Sequence, residues 1–153
     1  MRYLTVLILI ITLGCKGHKN TANTNTNTPT VSEDLNLVLS DNYGGTDLEE
    51  VEIIRNSKRL KQFFLEINKT RKPGLPVPEI DFSKQLVVIY CSGKTTNSNI
   101  PGLFKVSESE NRLVLGIKKE NAIQENSPTA LLLPFSLYTM PITDKEVVLE
   151  SPN

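Results

Sequence analysis

The 153-residue chain predicts an α+β fold: a bent or two-layer, mostly antiparallel β-sheet of about seven short strands with one amphipathic helix. Three stretches carry that prediction. Residues 80–93 read Ile-Asp-Phe-Ser-Lys-Gln-Leu-Val-Val-Ile-Tyr-Cys-Ser-Gly, and in an extended chain Leu86, Val88 and Tyr90 point one way while Val87, Ile89 and Cys91 point the other. Both faces are apolar, so this is a central strand with a cover on each side. Leu60, Phe63, Phe64 and Ile67 fall at i, i+3, i+4 and i+7, a single apolar stripe that can cover only one of those faces. The other face then needs strands, and the segment beyond residue 100 offers them.

In chain order, Leu35, Leu37 and Leu39 alternate with polar or exposed positions and predict a strand with one buried face, followed by a loop over residues 41–45. Val51 and Ile53 mark a second short strand. Ser57 offers a cap for the helix, and Lys69, Arg71 and Lys72 stand where cations favour the C-terminal end of the helix dipole. Pro73-Gly74 stops the helix, and Pro76-Val-Pro78 imposes an extended lead-in to the central strand. Residues 103–108 and 112–119 flank the polar tip Ser109-Glu-Asn111 and read as a hairpin. Residues 129–139 form a further strand in which Pro134 requires a bulge, a bend or an edge, and residues 145–150 form the last.

Ahead of this fold the chain is of a different kind. Met1-Arg2 precedes ten residues, 4–13, that are apolar except for Thr5 and Thr12. That is too short to span a bilayer as a helix and suits the apolar core of an export signal. Ile-Thr-Leu-Gly-Cys15 resembles the lipobox of bacterial lipoproteins, with Thr12 and Leu13 where the common pattern has Leu and a small residue. The resemblance implies a signal peptide over residues 1–14 and lipidation of Cys15 as the first mature residue. Acyl chains contribute about 0.8 kcal/mol per buried CH₂, so several of them hold a protein to the membrane essentially permanently. Residues 15–33 then comprise the lipidated Cys and an Asn/Thr-rich tether with no buried-face pattern; its coil span is roughly 20–25 Å. The expected address is the bacterial cell envelope, on the outer membrane facing the periplasm, with residues 34–153 as the folded part.

Composition narrows the chemistry. Lys+Arg and Asp+Glu balance at 17 each and Trp is absent, so net charge gives no footprint for nucleic acid. His18 is the sole histidine and lies in the tether, which leaves Ser-His-Asp and Cys-His centres and His-rich metal sites without their imidazole. With Cys15 lipidated, Cys91 has no disulfide partner and reads as a small hydrophobe on an apolar strand. Ser92-Gly-Lys-Thr-Thr96 imitates the end of a phosphate-binding loop, but Val88 stands where its first glycine belongs and Asn-Ser-Asn-Ile-Pro-Gly comes next instead of a helix. Asp47, Glu49, Glu50 and Glu52 lack calcium-loop spacing and read as a solvated edge. No catalytic residue, metal or cofactor is therefore assigned.

Charge is nonetheless arranged in blocks. Residues 33–52 carry seven acids and no base, and residues 55–72 carry seven bases and one acid. The plain reading is mutual neutralisation. The sharper one is a basic helix face, Lys58, Arg59, Lys61 and Lys69, that docks an acidic partner or anionic lipid head groups.

The segments Val51-Glu-Ile-Ile-Arg-Asn-Ser-Lys-Arg-Leu, Pro78-Glu-Ile-Asp-Phe-Ser-Lys-Gln-Leu-Val-Val-Ile-Tyr, Gly93-Lys-Thr and Pro134-Phe-Ser-Leu-Tyr-Thr-Met-Pro, taken in order over residues 37–149, resemble the PrcB-type domain. This domain occurs in small lipoproteins and is named for a subunit of a bacterial surface protease complex. The resemblance implies a non-catalytic part in assembling or stabilising an envelope protein complex. Where that family usually has a Gly-Gly-Tyr-like step after the central strand, this chain has Asn99-Ile-Pro-Gly-Leu-Phe104. The loop containing Asn97, Ser98, Asn99, Ile100, Pro101 and Gly102 is accordingly the second expected recognition surface. The overall expectation is a membrane-tethered protein-binding or complex-assembly module; the competing class is a small envelope enzyme or ligand-binding lipoprotein.

Overall fold

The computed structural model describes residues 34–97, 99–118 and 130–150. The export signal, Cys15, the tether, Ser98, Lys119 and Thr129 lie outside the described residues. Among the described residues the fold is α+β, with seven strands in two sheets that do not close and one helix. Strands β1 (Asn36–Asp41), β2 (Glu49–Ile54), β3 (Gln85–Ser92) and β6 (Phe135–Pro141) form a four-stranded antiparallel sheet in the order β1-β6-β3-β2. Strands β4 (Gly102–Glu108), β5 (Arg112–Lys118) and β7 (Glu146–Glu150) form a three-stranded sheet in the order β4-β5-β7.

β3 is an interior strand, as its two apolar faces require. Val87, Ile89 and Cys91 share one buried cluster with Ile54, Phe135 and Leu137 and with Leu60, Phe63 and Phe64 of helix α1 (Ser57–Ile67). Leu86, Val88 and Tyr90 share the other with Tyr138 and Met140 and with Leu103, Leu113, Leu115 and Ile117 of the second sheet. Burying an aliphatic or aromatic side chain of this kind contributes roughly 1.5–3 kcal/mol, so a strand buried on both faces contributes about twice what a one-sided strand does. Phe63 meets Phe64 and Phe135 edge-to-face, with ring centroids 5.7 and 5.4 Å apart.

Four local expectations are corrected. The cap of α1 is Asn56, not Ser57: the Asn56 side chain accepts from the Arg59 N–H at 2.9 Å, and Ser57 is the first helical residue. Both residues are good caps, and extended φ/ψ falls on Asn56. The helix ends at Ile67 with no base in its last turn, so Lys69, Arg71 and Lys72 lie beyond the dipole's end and Arg71 is instead paired with Asp41. In β1 a register shift sets Leu37 opposite Tyr138 and Leu39 opposite Leu137, and the extra residue reverses the facing of the rest of the strand. Leu35 then packs on the second-sheet cluster, Leu39 on the helix cluster, and Leu37 is left exposed. Finally, β6 begins at Phe135, after Pro134 rather than around it. Leu132 is joined to Thr95 by an isolated bridge, and the Pro134 carbonyl accepts from the Ser92 N–H at 3.2 Å, so the proline marks a bend between two pairings.

The hairpin β4–β5 forms as its alternation predicts, around a tip in which the Ser109 N–H donates to the Arg112 carbonyl at 2.8 Å. β7 runs parallel to β5, the one departure from antiparallel pairing in the two sheets.

Candidate functional sites: a groove beside the helix and a polar cleft after the central strand

Glu50, Glu52 and Ile54 project from β2 on the side of the sheet that carries the helix. Beside them the residues after α1 turn back, because Asn68 clamps that loop at both ends. Its Nδ2 donates to the Leu75 carbonyl at 2.9 Å and its Oδ1 accepts from the Leu75 N–H at 2.8 Å. Opposite, the β1–β2 loop is pressed against the approach to β6: Gly45 N–H donates to the Leu133 carbonyl at 2.8 Å, and a Cβ on Gly45 would lie 2.6 Å from the Pro134 carbonyl oxygen. Between these walls runs an open groove of about 1110 Å³. Phe63, Ile67 and Leu133 contribute apolar surface to it, and its rim includes Tyr43 and Leu131, each 55% exposed.

The groove's two arginines are matched internally, while Glu50 and Lys72 on its wall have no ion pair among the described residues. Arg59 holds Glu52 through Nε and Nη2, a bidentate pair that raises the guanidinium's pKa through the hydrogen bond to Glu52. Arg59 Nη1 is buried without a hydrogen bond, 3.9 Å from Glu66 Oε1. Arg71 grips both oxygens of Asp41 at 2.9 and 2.6 Å, and its pKa is likewise raised by that bond. These two pairs link the acidic and basic blocks of the sequence. They also correct the assignment of Arg59 to the free docking face, since its guanidinium is turned to Glu52.

The second site lies where β3 leaves the sheet, on the opposite side of β2. A cleft of about 260 Å³ is lined by Glu49, Tyr90, Ser92, Thr95, Asn97 and Pro101, among others. Tyr90 donates to Glu49 Oε1 at 2.8 Å; burial first, and then this bond to a carboxylate, push the phenol's pKa upward. Ser92 Oγ is buried with no hydrogen-bond partner. The loop is pinned on both sides: Thr95 bridges Leu132, Asn97 N–H donates to Thr95 Oγ1 at 3.0 Å, Asn99 N–H to Asn97 Oδ1 at 3.0 Å, and Leu103 N–H to the Tyr138 hydroxyl at 2.9 Å.

Three of the expected loop residues, Asn97, Asn99 and Pro101, therefore line one cleft; Ile100 and Gly102 are half-buried beside it, and Ser98 is outside the described residues. Lys58, Lys61 and Lys69 are exposed on and just beyond the helix and line neither site. The groove was missed by sequence reasoning because its walls come from four separate segments. Gly44-Gly45 and Pro73-Gly74 are the only local marks of it.

The phosphate-loop look-alike resolves as a turn: Gly93 has φ of 78°, Lys94 pairs with Asp47 at 3.3 Å, and the next element among the described residues is strand β4. Cys91 is buried, and desolvation raises its thiol pKa, the environment of an inert side chain. Among the described residues no group of three or more His, Cys, Asp or Glu could hold a metal, and no helix is long and apolar enough to cross a membrane. Comparison with protein-family models, with curated proteins and with solved structures gives no match in any of the three.

Proposed function

We propose that this chain is a non-catalytic, lipid-tethered module of the bacterial envelope that binds another envelope protein and helps to assemble or stabilise its complex. The observation that carries the reading is the groove. Its volume of about 1110 Å³ is above the roughly 300–1,000 Å³ of small-molecule clefts, and it is open, apolar along Phe63, Ile67 and Leu133, and rimmed by the exposed Tyr43 and Leu131. Such a surface suits a polypeptide segment with a large side chain as anchor. Its arginines are already neutralised by Glu52 and Asp41, which leaves the apolar wall, with Glu50 and Lys72 at its side, to choose what it takes. The sequence resemblance to PrcB-type domains points the same way, with an envelope protease as the partner class it implies. On this reading the two sheets stack as layers about the cluster of Leu86, Val88, Leu113 and Leu115, a rigid base for the groove and the loop.

Two measurements test it. Fractionation of the Cys15→Ser chain reads the tether: release from the membrane with the fold intact is expected, and full retention refutes the anchor. Affinity isolation of the intact chain after cross-linking in its own envelope reads the module: a discrete protein partner is expected, and recovery of the chain alone contradicts it.

One observation favours a second reading, a ligand-binding lipoprotein. Ser92, whose buried hydroxyl has no hydrogen-bond partner, lines the cleft with Glu49 and Asn97, polar groups of the kind a small polar molecule would engage. A small polar compound that raises the melting temperature of the wild type but not of Ser92→Ala would favour it.

A further inference from the structure

Cations in this protein are unevenly paired. Among the described residues, Lys84, Lys94, Lys105, Arg112 and Lys145 are each ion-paired with a carboxylate, and outside residues 55–72 only Lys118 is not. Within residues 55–72 Arg59 and Arg71 are paired and Arg55 donates to the Thr143 carbonyl, whereas Lys58, Lys61, Lys69 and Lys72 have no ion pair among the described residues. Lys58, Lys61 and Leu65 stand at i, i+3 and i+7; Lys58 and Leu65 face away from the buried stripe of Leu60, Phe63 and Phe64, Lys61 lies on the flank where it lines a hollow with Glu79, and Lys69 follows just past the C-cap. Leu65 is 70% exposed in the middle of this row. The nearest acid on the helix, Glu66, accepts from Gln62 at 3.1 Å and faces the groove.

We propose that this outer face of α1 is a docking surface for anionic phospholipid, and that the folded part rests against the membrane through Lys58, Lys61, Lys69 and Leu65. Lysines are flexible point charges without the fixed fork of arginine, so a row of them matches laterally mobile phosphodiester head groups better than a fixed array of carboxylates. A leucine among them gives the apolar contact at head-group depth that amphipathic surface helices use. The inference rests on the tethered reading, because a short tether is what supplies a high local concentration of membrane.

The test uses the full chain carrying Cys15→Ser and Leu65→Cys, labelled with bimane at position 65; buried Cys91 stays unmodified under native conditions. A blue shift is expected on vesicles of equal phosphatidylglycerol and phosphatidylcholine, absent on phosphatidylcholine alone and lost at high salt. Lys58→Gln, Lys61→Gln and Lys69→Gln each weaken the apparent affinity about fivefold. The same label at Leu48→Cys, 77% exposed in the β1–β2 loop, gives no shift. An equal shift on both vesicle types, or one that survives all three glutamines, overturns the proposal. So does a shift that polyglutamate produces and anionic vesicles do not, which assigns the face to an acidic protein. Because the assay omits the lipid on Cys15, its failure leaves the anchor standing, and failure of the anchor shows separately in the fractionation.

Discussion

The Tyr138 hydroxyl accepts a hydrogen bond from the Leu103 N–H at 2.9 Å, and both residues are buried. Tyr138 belongs to β6 in the first sheet and Leu103 to β4 in the second, so this bond fixes where the loop after β3 enters the second sheet. Tyr138→Phe leaves the Leu103 N–H without its partner at nearly constant volume. A loss of about 1–3 kcal/mol is expected in urea unfolding, with the slope unchanged. No loss of stability would show that water replaces the hydroxyl and that the bond does not hold the sheets in register.

The helix offers a paired test. Asn56→Ala removes the side chain that accepts from the Arg59 N–H and should cost about 1 kcal/mol, whereas Ser57→Ala should be near neutral. Phe63→Ala, which empties a site shared with Phe64 and Phe135, should cost about 3–5 kcal/mol. Thermal midpoints of the three variants check the ranking.

Alkaline unfolding reports on Tyr90. Its folded pKa is raised above the ordinary value of 10.0, chiefly by burial and next by the bond to Glu49. A raised pKa contributes stability that is fully present below the unfolded value and is lost as pH climbs above it, because the unfolded chain releases the proton first. Stability should therefore fall above about pH 10, and Tyr90→Phe should flatten that fall. An identical alkaline profile in the variant would rule out Tyr90 as its source.

Partner binding should survive Cys91→Ala and be weakened when residues 97–100 are replaced by Gly-Ser. The first removes a buried thiol that burial keeps protonated; the second removes Asn97, whose Oδ1 holds the loop through Asn99. A binding assay on the cross-linked partner checks both. The opposite pattern would bring thiol chemistry back into consideration.

The sequence carried the central strand plainly, because two apolar faces on residues 86–91 admit no edge position. The helix stripe and the β4–β5 hairpin were equally legible, each set by its own period. The facing of β1 was not. Alternation assumes one residue per partner, and the bulge between Leu37 and Leu39 breaks that count with no glycine or proline to mark it. The parallel β7 was hidden for a different reason: strand direction depends on the path of the intervening chain, not on any pattern in residues 145–150. At the second site, residues 97–102 were legible as a loop, and Asn97, Asn99 and Pro101 line its cleft. The pairing of Arg59 with Glu52 was not, since it requires knowing that β2 presents its even-numbered residues to the helix.

The groove as the place of partner contact is tested most directly by a photo-crosslinking residue at Tyr43, compared with the same residue at Val106, in living cells. Tyr43 is 55% exposed on the groove rim and Val106 is 44% exposed on β4 in the other sheet, so both probes are accessible and only one borders the groove. Gly45→Ala, whose Cβ would strike the Pro134 carbonyl at 2.6 Å and so displace the rim, serves as the internal control. The expected result is one discrete adduct from position 43, absent from position 106 and reduced by Gly45→Ala in chain that remains folded. No adduct from position 43, or the same adduct from both positions, would contradict a groove-binding module.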